Sequence, residues 1–177
     1  MRRFAIGAPL SAALVLAFGD AGSAQQVRAE KLVGGNENPP VVSGGSGRFS
    51  ARLRHDSISF RLSYDVASED SDVVQAHLHI ANPGNNGGVV AFLCSNNVGA
   101  PTDRTCPPSP GKVTGEIFAD DVLPVTEGMA PDEVVIIGAG DLEGLKRLIE
   151  QGSVYANVHT NAHLSGEIRG QLEPRRR

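Results

Sequence analysis

His77 and His79 flank Leu78 in a stretch whose apolar residues alternate, so both imidazoles leave the chain on the same side. Two imidazoles presented in this way, joined by a third from a neighbouring strand, form a donor set that copper and zinc accept. His159 offers that third ring from the polar side of another alternating stretch, with His163 in the adjoining loop. His77, His79 and His159 are therefore the metal-site candidates, with Cu or Zn as the ion they suit. A second reading stays open here, in which the same imidazoles hydrogen-bond within a polar sheet face, His159 to Glu167 for example. Carboxylates are the next resource. Glu116, Glu167, Asp120 and Asp121 could pair for acid–base work, but acidic loop positions without a pocket are usually solvated. Asn36-Glu37 and the Asn82 to Asn86 loop carry oxygens for calcium, without the regular spacing of a calcium loop. Ser165 is close in sequence to His163 and Glu167, yet strand geometry would scatter these three rather than build a triad. The chain has no nucleophile elbow, phosphate-binding glycine loop or zinc-protease motif. No catalytic residue is assigned, and a binding or structural module is expected rather than an enzyme.

The elements that must position these residues are strands. Val154, Ala156 and Val158 oppose Tyr155, Asn157 and His159; Ile168 and Leu172 oppose Glu167, Arg169 and Gln171. With Gly166 closing the connection, the two halves predict a β-hairpin. A symmetric register sets His159 opposite Glu167 and Asn157 opposite Arg169. Upstream, Phe49, Ala51 and Leu53 alternate with arginines and serine, and Ile58 to Val66 alternates cleanly after a His55-Asp56 turn. Val73 to Ile80 is a third strand, with Val74, Ala76, Leu78 and Ile80 on one face. Val89 to Leu93, Lys112 to Phe118 and Val134 to Ile137 are shorter. Gln25 to Lys31 reads as a flexible lead-in. One helix is expected from the Asp141 cap through Leu142, Leu145, Leu148 and Ile149 to a stop at Gly152. About eight short strands and one short helix predict a mainly β fold, an antiparallel β-sandwich or Greek-key barrel.

Composition narrows the setting. Arg2 and Arg3 precede an apolar run from Ile6 to Phe18, and Gly22-Ser23-Ala24 supplies small residues, which reads as a signal peptide over residues 1–24. Cleavage there leaves residues 25–177 as a single domain, secreted or periplasmic. The apolar run is shorter than the roughly 20 residues of a spanning helix, and no membrane anchor is expected. The formal charge of −4 argues against nucleic acid as a partner, and the absence of Trp leaves little for stacking sugars or bases. An unknown protein or small ligand is the partner expected. Cys94 and Cys106, an even pair around a loop-rich segment of an exported chain, are expected to form a disulfide.

Three separated motifs then resemble one family. They are Leu32 to Val41 (L-x-G-x-N-E-x-P-P-V), Ala76-His77-Leu78-His79 with Gly88-Val89-Val90, and Tyr155 to Thr160 with Gly166 to Leu172. Together they look like the CHRD domain, named after chordin and also found in bacterial exported proteins. The resemblance covers about residues 30–173, and the paired cysteines resemble those of one bacterial subgroup. It implies an extracellular or periplasmic β-sandwich of undefined activity. The growth-factor-binding modules that accompany the domain in chordin are missing here, so that function is not carried over. Within the motifs, Asn36, Glu37, Asn157, Glu167 and Arg169 are expected to be structural. The His-x-His on a strand is also similar to copper/zinc superoxide dismutase, but too few further His and Asp are present for a second, bridged metal.

Overall fold

In the computed structural model, which describes residues 24–66, 72–128 and 134–175, the alternating stretches pair into one antiparallel sheet. Its strands are β1 (Gln25–Val33), β2 (Ser46–Leu53), β3 (Ile58–Asp65), β4 (Val73–Ile80), β5 (Gly88–Ser95), β6 (Gly111–Ile117), β9 (Val154–Thr160) and β10 (Ile168–Gln171). The two-residue β11 (Glu173–Pro174) adds to β1, and β7 (Val125–Glu127) with β8 (Val134–Ile137) makes a separate ribbon. The order across the sheet is β5-β4-β9-β10-β1-β2-β3-β6, which curls into a nearly closed barrel. The fold is therefore mainly antiparallel β with one short helix, as the patterning predicts.

Curling puts every second side chain inside. Phe49, Ile58, Leu62, Leu78, Leu93, Ile117 and Ile168 are fully buried there, and the Phe49 and Phe60 rings stack at 6.1 Å. Truncating one such residue to Ala would cost about 2–5 kcal/mol. The helix α1 (Leu142–Glu150) buries Leu142, Leu145 and Ile149. Asp141 accepts the Gly144 N–H at 2.7 Å as its cap, and Gly152 at φ +74° ends it.

The seam between the outer strands β5 and β6 is bridged rather than laddered. Cys94 and Cys106 are disulfide-bonded, with their Cα atoms 5.1 Å apart. Arg104, just before Cys106, donates to the carbonyls of Phe92 and Leu93 on β5 and of Glu116 on β6. Its guanidinium also sits over the Phe60 ring at 5.6 Å.

Two local expectations are corrected. Gln25 to Lys31 is not a flexible lead-in but most of β1, which pairs with β2, β10 and β11. Its alternation is hidden because the register shifts between Ala29 and Leu32, letting Leu32 face the core out of step with Val27 and Ala29. At the start of β4, an irregularity between Val73 and Gln75 buries Val73 in place of Val74. The expected leader falls on residues 1–24, of which only Ala24 is among the described residues.

Candidate metal centre

Strands β4 and β9 are far apart in sequence but adjacent in the sheet. Their register sets Gln75 opposite His159, His77 opposite Asn157 and His79 opposite Tyr155. Because side chains at every second position share a face, His77, His79 and His159 gather on the side of the sheet away from the core. The ring centroids of His77 and His159 are 4.6 Å apart, those of His77 and His79 5.1 Å, and those of His79 and His159 6.0 Å. One ligand nitrogen from each ring lies within 4.8 Å of the others. Opposite β4, the β5 ladder shifts register twice, between Ala76 and His77 and between Leu78 and His79. Such bulges re-aim side chains, and here Phe92 comes edge-on to His77 at 4.7 Å. His163 does not join the cluster.

Backbone carbonyls decide which nitrogen of each ring is free. His79 Nδ1 lies 2.9 Å from the Gly87 oxygen and His159 Nδ1 lies 2.9 Å from the Leu164 oxygen. A carbonyl only accepts, so both Nδ1 atoms carry the proton and both Nε2 atoms present lone pairs. His79 Nε2 then accepts from His77 Nδ1 at 3.0 Å, which leaves the His77 Nε2 lone pair exposed to the site. His77 Nε2 and His159 Nε2 are buried with no hydrogen-bond partner. Buried polar atoms left unpaired cost free energy, of the order of 1–3 kcal/mol each.

The rings are 2%, 8% and 5% exposed at His77, His79 and His159. Burial, with the neighbouring imidazoles adding to it, drives the His77 pKa down to about 2, and burial holds His79 at about 4. Burial lowers His159 as well, against the pull of its Leu164 hydrogen bond. All three are neutral near pH 7, the form that ligates metals.

The supporting layer comes from residues that the sequence marked as structural. Arg169, opposite Asn157 on β10, stacks its guanidinium on Tyr155 at 4.2 Å, and Tyr155 in turn stacks flat on His79 at 4.8 Å. The same guanidinium donates to Asn86 Oδ1 at 2.9 Å and the Asn85 oxygen at 3.0 Å, pinning the loop that presents Gly87. Asn36 donates to the Arg169 carbonyl. Glu37 is buried, weakly held by Asn157 Nδ2 at 3.5 Å, with its Oε1 unpaired. Burial pushes its pKa up to about 7, and Arg169 and Asn157 only partly offset that. Asn157 Oδ1 is likewise unpaired. A groove of about 680 Å³, with Asn36, Glu37, Pro83 and Arg169 in its walls, opens over this layer.

Glu167 does not reach His159. Its carboxylate accepts from Thr160 Oγ1 at 2.8 Å and Ser43 Oγ at 2.6 Å, tying the β9 end to the segment before β2. The reason is local: Gly166 at φ +123° turns the backbone, and the Glu167 N–H bonds the Val158 oxygen in place of a symmetric continuation. Nothing in the sequence pattern marks Phe92 or the Gly87 and Leu164 carbonyls as parts of the site. Tyr155 alone carried a signal, an aromatic ring on the same polar face as His159.

Across this framework a family model for the CHRD domain matches residues 29–172. The chain belongs to the CHRD family. The match spans the barrel from within β1 to the residue after β10, so the His cluster and the layer around it lie inside the CHRD unit. No curated protein matches the chain, and no solved structure does. Membership supports a binding or structural module in general terms, and no helix among the described residues is long and apolar enough to cross a membrane.

Proposed function

We propose that this CHRD protein is an exported, single-domain metal-binding module that holds one copper or zinc ion with His77, His79 and His159. The observation that carries the reading is the pair of buried, unpaired Nε2 lone pairs beside a third imidazole, with tautomers set by backbone carbonyls. An ion bound at about 2.0–2.1 Å sets its nitrogens roughly 3.3–3.6 Å apart. The cluster, with ligand nitrogens within 4.8 Å of one another, needs only a small closure, and the His77 Nδ1–His79 Nε2 hydrogen bond must open to free the His79 lone pair for the ion. The carbonyl on the far nitrogen of His79 and of His159 is the outer-shell partner that orients metal-bound histidines elsewhere. Three neutral imidazoles supply no countercharge, which suits ions of the borderline or softer kind over calcium or magnesium. The disulfide fits an oxidising compartment and supports the expected export.

The deciding measurement is elemental analysis of untagged protein, together with titration of chelator-treated protein by Cu and Zn. One equivalent of either ion, lost in a folded His77→Ala/His79→Ala variant, is the expected result. If wild-type protein carries no metal and takes up neither ion, the metal reading falls and the cluster is a hydrogen-bonded sheet face.

A further inference from the structure

A second surface stands apart from the histidines, on the outer face of β1, β2, β3 and β6. Because the inner positions of these strands fill the core, the outer ones align in rows fixed by the register. One row reads Arg28, Ser50, Arg61, Thr114; the next reads Gln26, Arg52, Ser59, Glu116. A third brings Arg48, Ser63 and Lys112 together. Arg28, Arg48, Arg52 and Arg61 are all exposed. Arg28, Arg48, Arg52, Arg61 and Lys112 thus place five of the chain's 16 Lys and Arg on this one face, although the chain as a whole is acidic at −4.

The neighbours of these arginines matter as much as their number. A surface built for solubility intersperses both signs. Here Arg28 pairs with Glu30 at 2.8 Å and Arg54 with Glu116 at 4.0 Å, but among the described residues no carboxylate pairs with Arg48, Arg52 or Arg61. Their cross-strand partners are hydroxyls and an amide: Ser63 for Arg48, Gln26 and Ser59 for Arg52, Ser50 and Thr114 for Arg61. With strands about 4.8 Å apart and same-face residues about 6.7 Å apart along them, neighbouring guanidiniums sit on bases roughly 8–10 Å apart. Holding like charges at that spacing is unfavourable unless an anion bridges them. A shallow groove of about 820 Å³ runs over the face, with Arg28, Arg52, Arg54, Arg61 and Arg175 along it.

We propose that this face binds a linear acidic polysaccharide. Guanidinium forks take carboxylate or sulfate groups in bidentate fashion, and the interleaved Ser and Thr hydroxyls match sugar hydroxyls. A regular lattice of cations and hydroxyls suits an extended polymer carrying its anions at intervals. Single-stranded nucleic acid would need aromatic platforms, and the outer rows contain none. A membrane surface would favour apolar side chains among the cations, and those rows contain none either.

The test is calorimetric titration of the full chain with a polyuronate, with dextran sulfate and with uncharged dextran, at low and high salt. Wild-type protein should bind one or both acidic polymers, more weakly at high salt, and should ignore dextran; the polymer that binds identifies the anion. An Arg48→Gln/Arg52→Gln/Arg61→Gln variant with an unchanged melting temperature should lose about tenfold or more in affinity, since each guanidinium contributes to a field that screening weakens. Failure of wild-type protein to bind either polymer would overturn the proposal. So would equal binding of dextran, undiminished binding by the variant, or tighter binding to phosphatidylglycerol vesicles that neither polymer displaces.

Discussion

His77 Nδ1 is held by His79 Nε2, and the Nδ1 atoms of His79 and His159 by backbone carbonyls, which fixes where the free Nε2 lone pairs of His77 and His159 point. The same burial makes the cluster sensitive to acid. The folded pKa values of His77, His79 and His159 lie below the ordinary 6.5, so below that pH the unfolded chain binds more protons than the folded one. Their contribution is complete above pH 6.5 and is lost as the pH falls. Glu37 runs the other way, because its folded value of about 7 exceeds the ordinary 4.5, and its contribution fades as the pH rises between them. Three histidines outweigh one carboxyl. Metal-free protein should therefore lose stability from pH 6.5 to 4.5, on the order of 1.4 kcal/mol per pH unit for each uncompensated proton. Denaturant midpoints across that range check this, and a flat or rising profile would contradict it. Arg169 is the second residue with a sharp expectation, since it stacks on Tyr155 and pins Asn85 and Asn86. Arg169→Ala should lower the melting temperature by roughly 2–8 °C and weaken metal uptake by freeing the loop that presents Gly87. Lys should restore only part, having no planar fork. An unchanged melting curve with unchanged metal affinity would remove Arg169 from this role.

At the scale of elements, what could be read in advance was whatever period 2 carries by itself. The His77-x-His79 pair and the polar row of β9 follow from alternation, and Arg169 stands opposite Asn157 as the hairpin symmetry implies. What alternation cannot carry is adjacency. That β4 lies beside β9 rests on pairing across most of the chain, and only this brings His159 to His77. The carbonyls of Gly87 and Leu164 left no trace because any residue could supply them. β1 was hidden by its bulge and by the charged Arg28, Glu30 and Lys31 on its outer face. Gly166 shows how narrowly the hairpin is built. A Cβ there would come within 2.7–2.9 Å of Asn157 and Glu37, at a φ of +123° that L-residues avoid. Gly166→Ala should cost about 1–3 kcal/mol through strain alone. A denaturation midpoint equal to that of wild type would show that the loop can relax around the methyl group.

For the whole molecule, the bridged seam has a meaning beyond closure. A strand at the end of a sheet shows a row of free carbonyls and N–H groups on which another chain can template itself. β5 and β6 are the two ends of this sheet, and Arg104 occupies carbonyls on both while the disulfide tethers the segment that carries it. One cation thus serves as a stopper against edge-to-edge assembly. Arg104→Ala, with the disulfide intact, should keep the barrel yet form dimers and larger species at concentrations where wild-type protein stays dispersed. Light scattering on matched samples reads the difference, and equal dispersity of the two proteins would show that some other group guards the seam. If Arg104→Ala does assemble, the guard of this seam is a side chain set in a loop, outside every strand of the sheet it protects.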